Sequence, residues 1–348
     1  MHIVHYCPTP YPIPPVGYGG TERVVYWLVR AQIEQGLRVS VIANASSAIE
    51  SAVPGAHLIP WTDGSKLAQV LPADCDVVHL HRMPDDPDAL DRPHLITEHG
   101  NRGPEARLLV NTVFVSESHA RIHGRSCFVR NGVPVQDYRY SEDKDRFLLF
   151  LARMEWQRKN ARTAMDLAID LDVPLVMSGK YPPWVRPKIW GAWCLHPWAM
   201  TRLVDRVGYI DGERKLDLLA RAPIMFHAVN WHEPGSIVVL ESLASGTPVL
   251  CTPNGSMPEF VDHGETGWIV RDYREALEAT REALAFSPET ARSWAQRCRE
   301  RVSRVEDTAR GYATLYQRVI AGESLSSQQE QRPQVPRPVV HVTKPAFG

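Results

Sequence analysis

The stretch from residue 224 to residue 250 constrains the fold more than any other part of the chain. An apolar run at 224–228 is followed by a turn, a helical segment and a second apolar run that begins at Val249. Pro234 suits the first turn of a helix, where its missing N–H costs nothing, and Gly246 is typical of a helix end. Apolar runs alternate with helical segments elsewhere too, which predicts an α/β chain with parallel sheets.

Two carboxylates, Glu233 and Glu241, bracket the predicted helix. Eight residues correspond to ~12 Å along a helix axis and nearly a whole number of turns, so the two would share a face. That spacing is too wide for a carboxylate pair acting on one glycosidic bond, but it suits the two ends of an elongated ligand. Gly235 and Ser236 would offer backbone N–H groups to an anion in between. The pattern favours a sugar nucleotide, with an ordinary αβ unit carrying two surface glutamates as the alternative.

Glu233, seven intervening residues and Glu241, followed by Ala244-x-Gly246-Thr247-Pro248-Val249, resemble the retaining glycosyltransferases of family 4. The resemblance covers about residues 1–320 and implies the GT-B fold: two Rossmann-like domains facing a cleft, with a C-terminal helix crossing back to the first. We therefore expect an N-terminal acceptor-side domain at 1–138 and a nucleotide-sugar domain at 139–304. A crossover helix at 305–321 would pack on the N-terminal domain, before a disordered or extended tail at 322–348.

Composition is compatible with this fold. The 348 residues are enough for two domains, and 44% hydrophobic with 23% charged residues is typical of globular proteins. A net charge of −1 gives no general attraction to nucleic acid or acidic membranes. Six scattered cysteines indicate reduced thiols rather than disulfides or zinc. With no apparent signal peptide and no apolar run of ~20 residues, we expect a cytoplasmic protein.

A Pro- and Gly-rich loop at 8–22 lies between the first predicted strand and a helix at about 21–35. The inner side of that helix is predicted to carry five residues: Val24, Val25, Leu28, Ala31 and Gln32. Strand, glycine loop and helix together suit a phosphate, although a flexible turn has the same composition. The family resemblance implies that Gly19 and Gly20 meet the donor diphosphate.

His99 ends the apolar run 94–99 within Thr97-Glu98-His99-Gly100. Ligands of open α/β folds bind at the carboxyl ends of such strands. A histidine there can also simply cap backbone groups. The resemblance implies that His99 lies beside the donor sugar.

The apolar run 147–153 predicts a strand buried on both faces and ends at Arg153. Arg153 and the nearby Lys159 are candidate phosphate ligands. The segment resembles the family's Gly-Arg…Lys-Gly element, but Ala152 replaces the glycine and the spacing is one residue longer. Arg158 therefore competes with Lys159 for the diphosphate.

Further along, the resemblance implies that the backbone after Gly208, at Tyr209 and Ile210, contacts the nucleotide base. Four of the ten tryptophans lie in the segment 181–198. That segment is predicted either to pack as a helical excursion or to expose an aromatic, basic surface. In the second case the part from Trp184 to Trp198 would stack on sugars or bases, or make peripheral membrane contact.

The resemblance implies a retaining transfer without a covalent protein intermediate, from a nucleotide-diphosphate sugar (UDP- or GDP-linked) to a hydroxyl acceptor such as a sugar or a lipid-linked group. Glu233 would bind sugar hydroxyls and Glu241 the ribose. The departing diphosphate would be neutralised by Arg153, Lys159 and the helix start at Gly235, Ser236 and Ile237. Since no Asp-x-Asp element lies at a matching place, we expect no metal and no cofactor.

One departure concerns the helix mouth, where Glu233-Pro234-Gly235-Ser236 replaces the family's usual Glu-Pro-Phe-Gly. Loss of the phenylalanine should loosen packing near the sugar and alter donor choice.

The alternatives to a glycosyltransferase are a nucleotide-sugar epimerase, a phosphorylase, and a degenerate non-catalytic sugar-nucleotide-binding protein. The last is favoured by the altered mouth and by the short segments between residues 44 and 75.

Overall fold

The computed structural model describes residues 1–103, 105–179, 202–326 and 338–345. The chain divides into two compact units. Unit 1 comprises residues 1–134 and 303–336, and unit 2 comprises residues 135–302 and 337–348. The tryptophan-rich segment from Trp184 to Trp198 lies outside the described residues. None of the described helices combines the length and the apolar character that crossing a membrane requires.

Each unit contains six described strands. Those of unit 1 are β1 (His2–Cys7), β2 (Arg38–Asn44), β3 (Ala56–Trp61), β4 (Val77–Leu80), β5 (His94–Glu98) and β6 (Thr112–Phe114). Those of unit 2 are β7 (Leu148–Leu151), β8 (Leu175–Ser178), β9 (Val204–Gly208), β10 (Ile224–His227), β11 (Val249–Cys251) and β12 (Gly267–Ile269).

The described helices, numbered in chain order, are α1 (Gly20–Glu34), α2 (Ile49–Ala52), α3 (Leu67–Val70), α4 (Glu117–Ile122), α5 (Ala161–Leu171), α6 (Gly212–Arg221), α7 (Ile237–Ala244), α8 (Met257–Phe260), α9 (Tyr273–Leu284), α10 (Pro288–Arg301) and α11 (Val305–Ile320). Short 3-10 turns occur at Pro87–Ala89, Val135–Asp137 and Gln157–Lys159.

Both sheets are parallel and have the same topology. The strand order is β3-β2-β1-β4-β5-β6 in unit 1 and β12-β11-β10-β7-β8-β9 in unit 2. Counted within each unit, both are the Rossmann order 3-2-1-4-5-6, which confirms the prediction of two Rossmann-like domains. The order reverses between β1 and β4 and between β7 and β10, and ligands bind such folds at the carboxyl ends of the strands beside that reversal.

Strands in both sheets are buried along their whole length. All four residues of β4, β7 and β10 are buried, as expected for parallel strands covered on both faces. In unit 1 the crossovers between β2 and β4 are short, because α2 and α3 have only four residues each.

Helix α1 buries the five residues of its predicted inner face. Within unit 1 it packs against α11, and Gln32 of α1 donates a hydrogen bond from Nε2 to the Tyr316 hydroxyl of α11 at 2.9 Å. The segment predicted as a crossover helix thus forms a helix of the N-terminal unit.

The end of the chain packs on unit 2. Val342 is fully buried in its core, and its carbonyl oxygen accepts hydrogen bonds from Asn160 Nδ2 and Thr163 Oγ1, both at 2.8 Å. Asn254 pairs with the backbone of Val340 through both its amide oxygen and its amide nitrogen. The described tail residues are therefore fixed next to the loops that follow β7 and β11.

Candidate functional site

The segment after β10 reaches Glu233 before any helix begins. Helix α7 starts at Ile237, with Ser236 as its extended N-cap residue, so the prediction that Pro234 lies in the first helical turn is wrong. Instead, Glu233 forms an isolated parallel bridge with Gly255, and this long-range pairing overrides the helical preference of proline. The helical spacing between Glu233 and Glu241 consequently does not apply, because only Glu241 is on the helix.

Gly255 holds the backbone of Glu233 in place. Its φ is +66°, and a Cβ there would overlap the Glu233 carbonyl oxygen and lie 2.5 Å from the Glu233 nitrogen. The Ser256 N–H donates to the same carbonyl oxygen at 2.9 Å. Only glycine permits this approach, so the position of the Glu233 side chain is set from two loops.

The Glu233 carboxylate is 7% exposed and fully engaged on one oxygen. Its Oε2 accepts from Lys159 Nζ at 2.7 Å and from Trp231 Nε1 at 2.8 Å, and His227 Nε2 lies 3.7 Å away. Burial alone would raise the pKa of Glu233, but the Lys159 charge and the neighbouring His227 ring outweigh it and hold this pKa well below its usual range. Glu233 is therefore a carboxylate at neutral pH.

The two cations that compete in sequence have different surroundings. Lys159 turns inward to Glu233, with 13% of its side chain exposed. Arg158 is exposed, with its guanidinium carbon 4.0 Å from the Trp156 ring centroid and 4.2 Å from that of Trp231. Stacking on aromatic faces orients a guanidinium without neutralising it.

Arg153 follows β7 at the start of the same loop. Its Nε donates to Glu155 Oε1 at 2.6 Å, and its guanidinium carbon lies 4.5 Å from the Trp156 ring centroid. Gly179, at the end of β8, approaches so closely that a Cβ there would overlap the Ala152 carbonyl oxygen. The loop therefore gathers Arg153, Arg158 and Lys159 beside the strand-order reversal.

Glu241, in the second turn of α7, is 2% exposed. Its Oε1 accepts from Lys215 Nζ at 2.6 Å and from the Tyr138 hydroxyl at 2.9 Å. Its Oε2 makes no hydrogen bond with residues in the described ranges. This carboxylate is thus anchored through one oxygen, which leaves the other as an acceptor.

Tyr209 and Ile210 follow β9, the edge strand of the unit 2 sheet, where Gly208 has a φ of +69°. Tyr209 is 45% exposed. The structure therefore joins Glu233 and Lys159 in one cluster and places Tyr209 and Ile210 at the sheet edge. Their role toward a base stays a prediction.

Gly19 and Gly20 lie where α1 begins in unit 1. Gly19 is the N-cap residue with a φ of +148°, and Gly20 is the first helical residue. Glu22, in the first turn, is 4% exposed. A carboxylate there offsets the positive end of the helix dipole, so a diphosphate at this loop would meet a like charge. The diphosphate role of the loop stays a prediction.

His99 directly follows β5 and is half-buried. Its Nε2 lies 3.0 Å from Nδ1 of the buried His81, so the ring bonds another side chain rather than capping the backbone. Burial lowers the pKa of His99 to about 4. At neutral pH this imidazole is uncharged.

Sequence reasoning assigned no role to five residues of these clusters: Tyr138, Trp156, Lys215, His227 and Trp231. Trp231 had a usable signal, because it precedes Glu233 by two residues and an indole N–H needs an acceptor when buried. Glu241 contacts Lys215 and Tyr138 only in the tertiary structure, and no local sequence pattern predicts these contacts.

Residues 139–301 match the family model described as glycosyl transferases group 1. Among solved structures, AviGT4, a glycosyltransferase involved in avilamycin A biosynthesis, superposes with a TM-score of 0.74 at 25% identity, covering 92% of this chain and 98% of that one. Sucrose-phosphate synthase from Thermosynechococcus elongatus gives 0.72 at 18% identity, covering 92% and 100%. Anabaena HepE in complex with UDP-glucose gives 0.68 at 17% identity, covering 91% and 100%. No curated protein matches the sequence.

The repeated Rossmann topology, together with these similarities, defines the GT-B fold that these glycosyltransferases have. The matched stretch is just under half of the chain and lies within unit 2, so this unit is similar to the group 1 glycosyl transferases.

Proposed function

We propose that this protein is a retaining glycosyltransferase that moves a sugar from a nucleotide-diphosphate donor to a hydroxyl acceptor. The observation that carries the proposal is the buried pair of Lys159 and Glu233, 2.7 Å apart beside the β7–β10 reversal and inside the matched region. A carboxylate kept ionised by Lys159 offers acceptors for sugar hydroxyls, and Lys159 with Arg153 and Arg158 of the same loop offers positive charge for a leaving diphosphate.

The donor would lie along the clusters of unit 2. Glu233 accepts hydrogen bonds from sugar hydroxyls. Lys159, Arg153 and the stacked Arg158 neutralise the diphosphate, with the α7 start at Gly235, Ser236 and Ile237 adding its dipole. The second oxygen of Glu241 accepts from the ribose, and the backbone at Tyr209 and Ile210 meets the base.

The same contacts support retention without a covalent protein intermediate. Glu233 is tied to Lys159 and Trp231 through Oε2, which suits binding rather than nucleophilic attack. The leaving diphosphate oxygen would then deprotonate the incoming hydroxyl on the same face of the sugar. Preorganised cations stabilise the charge that develops as this bond breaks, so the loop supplies the role that a metal ion plays in other transferases, and we propose a metal-independent reaction.

A UDP-sugar is the first donor to test, since HepE, which shares this fold, was crystallised with UDP-glucose. A GDP-sugar is the second. The acceptor would be a hydroxyl of a sugar or of a lipid-linked group, and the protein would act in the cytoplasm.

Thermal shift with UDP, GDP and their sugars, followed by product analysis, tests the proposal. A donor at a hundred times its Kd should stabilise the protein by about 2.7 kcal/mol, which corresponds to a rise in Tm of roughly 4 °C for a chain of this length. Glu233→Gln should lose sugar-dependent stabilisation while keeping part of that by the bare diphosphate. Glu289→Gln, an exposed position on α10, is the matched control.

The products separate the alternatives. Acceptor-dependent transfer with retained anomeric configuration supports the proposal. Conversion of the free sugar nucleotide without acceptor would indicate an epimerase, and binding without any turnover would indicate a non-catalytic protein. If no sugar nucleotide stabilises the protein, the proposed glycosyltransferase function is contradicted.

A further inference from the structure

A chain of buried imidazoles runs through unit 1 and ends at His99. His5 on β1 and His79 on β4 are register partners, and His81 directly follows β4. One ring nitrogen from each of these three lies within 4.8 Å of the others. A cluster of that size can hold a metal ion, so the partners of each nitrogen decide what it does.

All six ring nitrogens of this cluster already have protein partners. His5 Nε2 lies 2.7 Å from Gln32 Oε1, and His5 Nδ1 lies 2.9 Å from His81 Nε2. His81 Nδ1 then lies 3.0 Å from His99 Nε2. His79 binds the Tyr316 hydroxyl through Nδ1 and Thr97 Oγ1 through Nε2, both at 2.7 Å. The cluster is a hydrogen-bond relay rather than a set of open ligands.

The amide of Gln32 gives this relay a direction. Gln32 is fully buried and donates from Nε2 to Tyr316 at 2.9 Å, so its oxygen faces His5. An amide oxygen only accepts, and His5 must therefore carry its proton on Nε2. A neutral His5 then accepts at Nδ1, which places the proton of His81 on Nε2, and the same step places the proton of His99 on Nε2.

We propose that Gln32, His5 and His81 are positioning residues that fix the tautomer of His99, so that His99 presents an unprotonated Nδ1 as an acceptor for a substrate hydroxyl. Within the described part of the chain, the Nε2 bond to His81 is the only hydrogen bond of the His99 ring. This proposal adds a positioning role to the proposed glycosyl transfer. It rests on that proposed function for the statement that the bound hydroxyl belongs to a sugar-transfer substrate.

Burial supports the neutral state that the relay needs. It lowers the pKa of His5 and that of His99 to about 4, and the pKa values of His79 and His81 lie well below the usual range. A chain of neutral imidazoles has two internally consistent proton orders, and one amide at its end selects between them. A change at Gln32 is therefore felt at His99, three hydrogen bonds away.

The test is the ring 15N spectrum of the full protein labelled at histidine, with signals assigned by single replacements. At pH 7.5, His5, His81 and His99 should all show a protonated Nε2 and an unprotonated Nδ1. In Gln32→Leu, His5 loses its acceptor. Since an unpaired buried N–H is less tolerable than an unpaired acceptor, all three rings should switch together to protonated Nδ1. The exposed His57→Gln variant should leave the three tautomers unchanged.

Kinetics provide a second measurement. Gln32→Leu should lower kcat at least about tenfold, as for loss of one aligned hydrogen-bond partner, with a much smaller change in KM for the donor. A protonated Nδ1 on His99 in the wild-type protein, or an unchanged His99 tautomer in folded Gln32→Leu, would overturn the relay. Absence of transfer with every acceptor would count against the proposed function instead, because the spectrum is measured without substrate.

Discussion

Lys159 Nζ lies 2.7 Å from Glu233 Oε2, and both side chains are largely removed from solvent. The two residues are 74 positions apart and come from the loops after β7 and β10. Breaking such a pair leaves one buried charge without its partner, which costs more than the pair contributes when intact.

Lys159→Ala should therefore lower the free energy of unfolding by about 3–5 kcal/mol and turnover by at least about a hundredfold. Lys159→Met combined with Glu233→Gln should recover part of the stability, because neither side chain is then charged, without recovering turnover. Thermal unfolding and initial rates would be measured on the same preparations. Near-normal turnover in Lys159→Ala and in the single variant Glu233→Gln would show that neither residue belongs to the site.

Gly255 and Gly264 offer a matched test of how the backbone of Glu233 is held. Both have positive φ, at +66° and +80°. A Cβ added at Gly255 would overlap the backbone of Glu233, whereas a Cβ added at Gly264 would lie in open space. Alanine should cost about 1 kcal/mol of conformational strain at either position. Only Gly255→Ala should also impair donor stabilisation and turnover, and equal effects of the two variants would contradict this account.

The buried His5 should make the protein lose stability on acidification from about pH 6.5, before most carboxylates titrate. Its pKa is about 4 when folded and about 6.5 when unfolded. The unfolded state therefore binds one more proton between these values, and stability falls as pH drops through that window. In His5→Gln, the free energy of unfolding should depend less steeply on pH, by at most about 1.4 kcal/mol per pH unit. The remaining pH dependence would come from His79, His81 and His99. Above pH 7 the two profiles should run parallel. Equal slopes between pH 6.5 and 4 would show that His5 is protonated in the folded protein.

Val342 and its exposed neighbour His341 test whether the tail stabilises unit 2. Val342→Ala removes two buried methyl groups and should cost about 2 kcal/mol, whereas His341→Ala should be nearly neutral. Since Asn160 next to Lys159 is bonded to the same tail, Val342→Ala should also weaken donor stabilisation. An unchanged Tm would show that the tail contributes little.

Segments with a regular apolar period, or with short spacing between strands, were predictable from sequence. Helical periodicity identified the buried face of α1, including Gln32. The short span between residues 44 and 75 indicated crossovers too short for full helices, and α2 and α3 have four residues each. In these cases a local pattern and the tertiary structure agree.

The site was predicted less completely, because its contacts join distant segments. Pro234 favours a helix start, but Glu233 pairs with Gly255 and the helix begins only at Ile237. His5 and His81 are 76 positions apart, and nothing in their two separate apolar runs indicates that these histidines meet. Only the topology of unit 1, which places β1 beside β4, brings them together.

The position of Val342 also bears on protein engineering. Residues 135–302 hold the six described strands of unit 2, yet part of its core is supplied by a segment that returns from beyond residue 336. A chimera that exchanges donor specificity by grafting only the contiguous stretch would leave Asn160, Thr163 and Asn254 without the backbone partners they have here. The exchangeable module is therefore bipartite, and swaps should carry residues 338–345 from the same parent as residues 135–302.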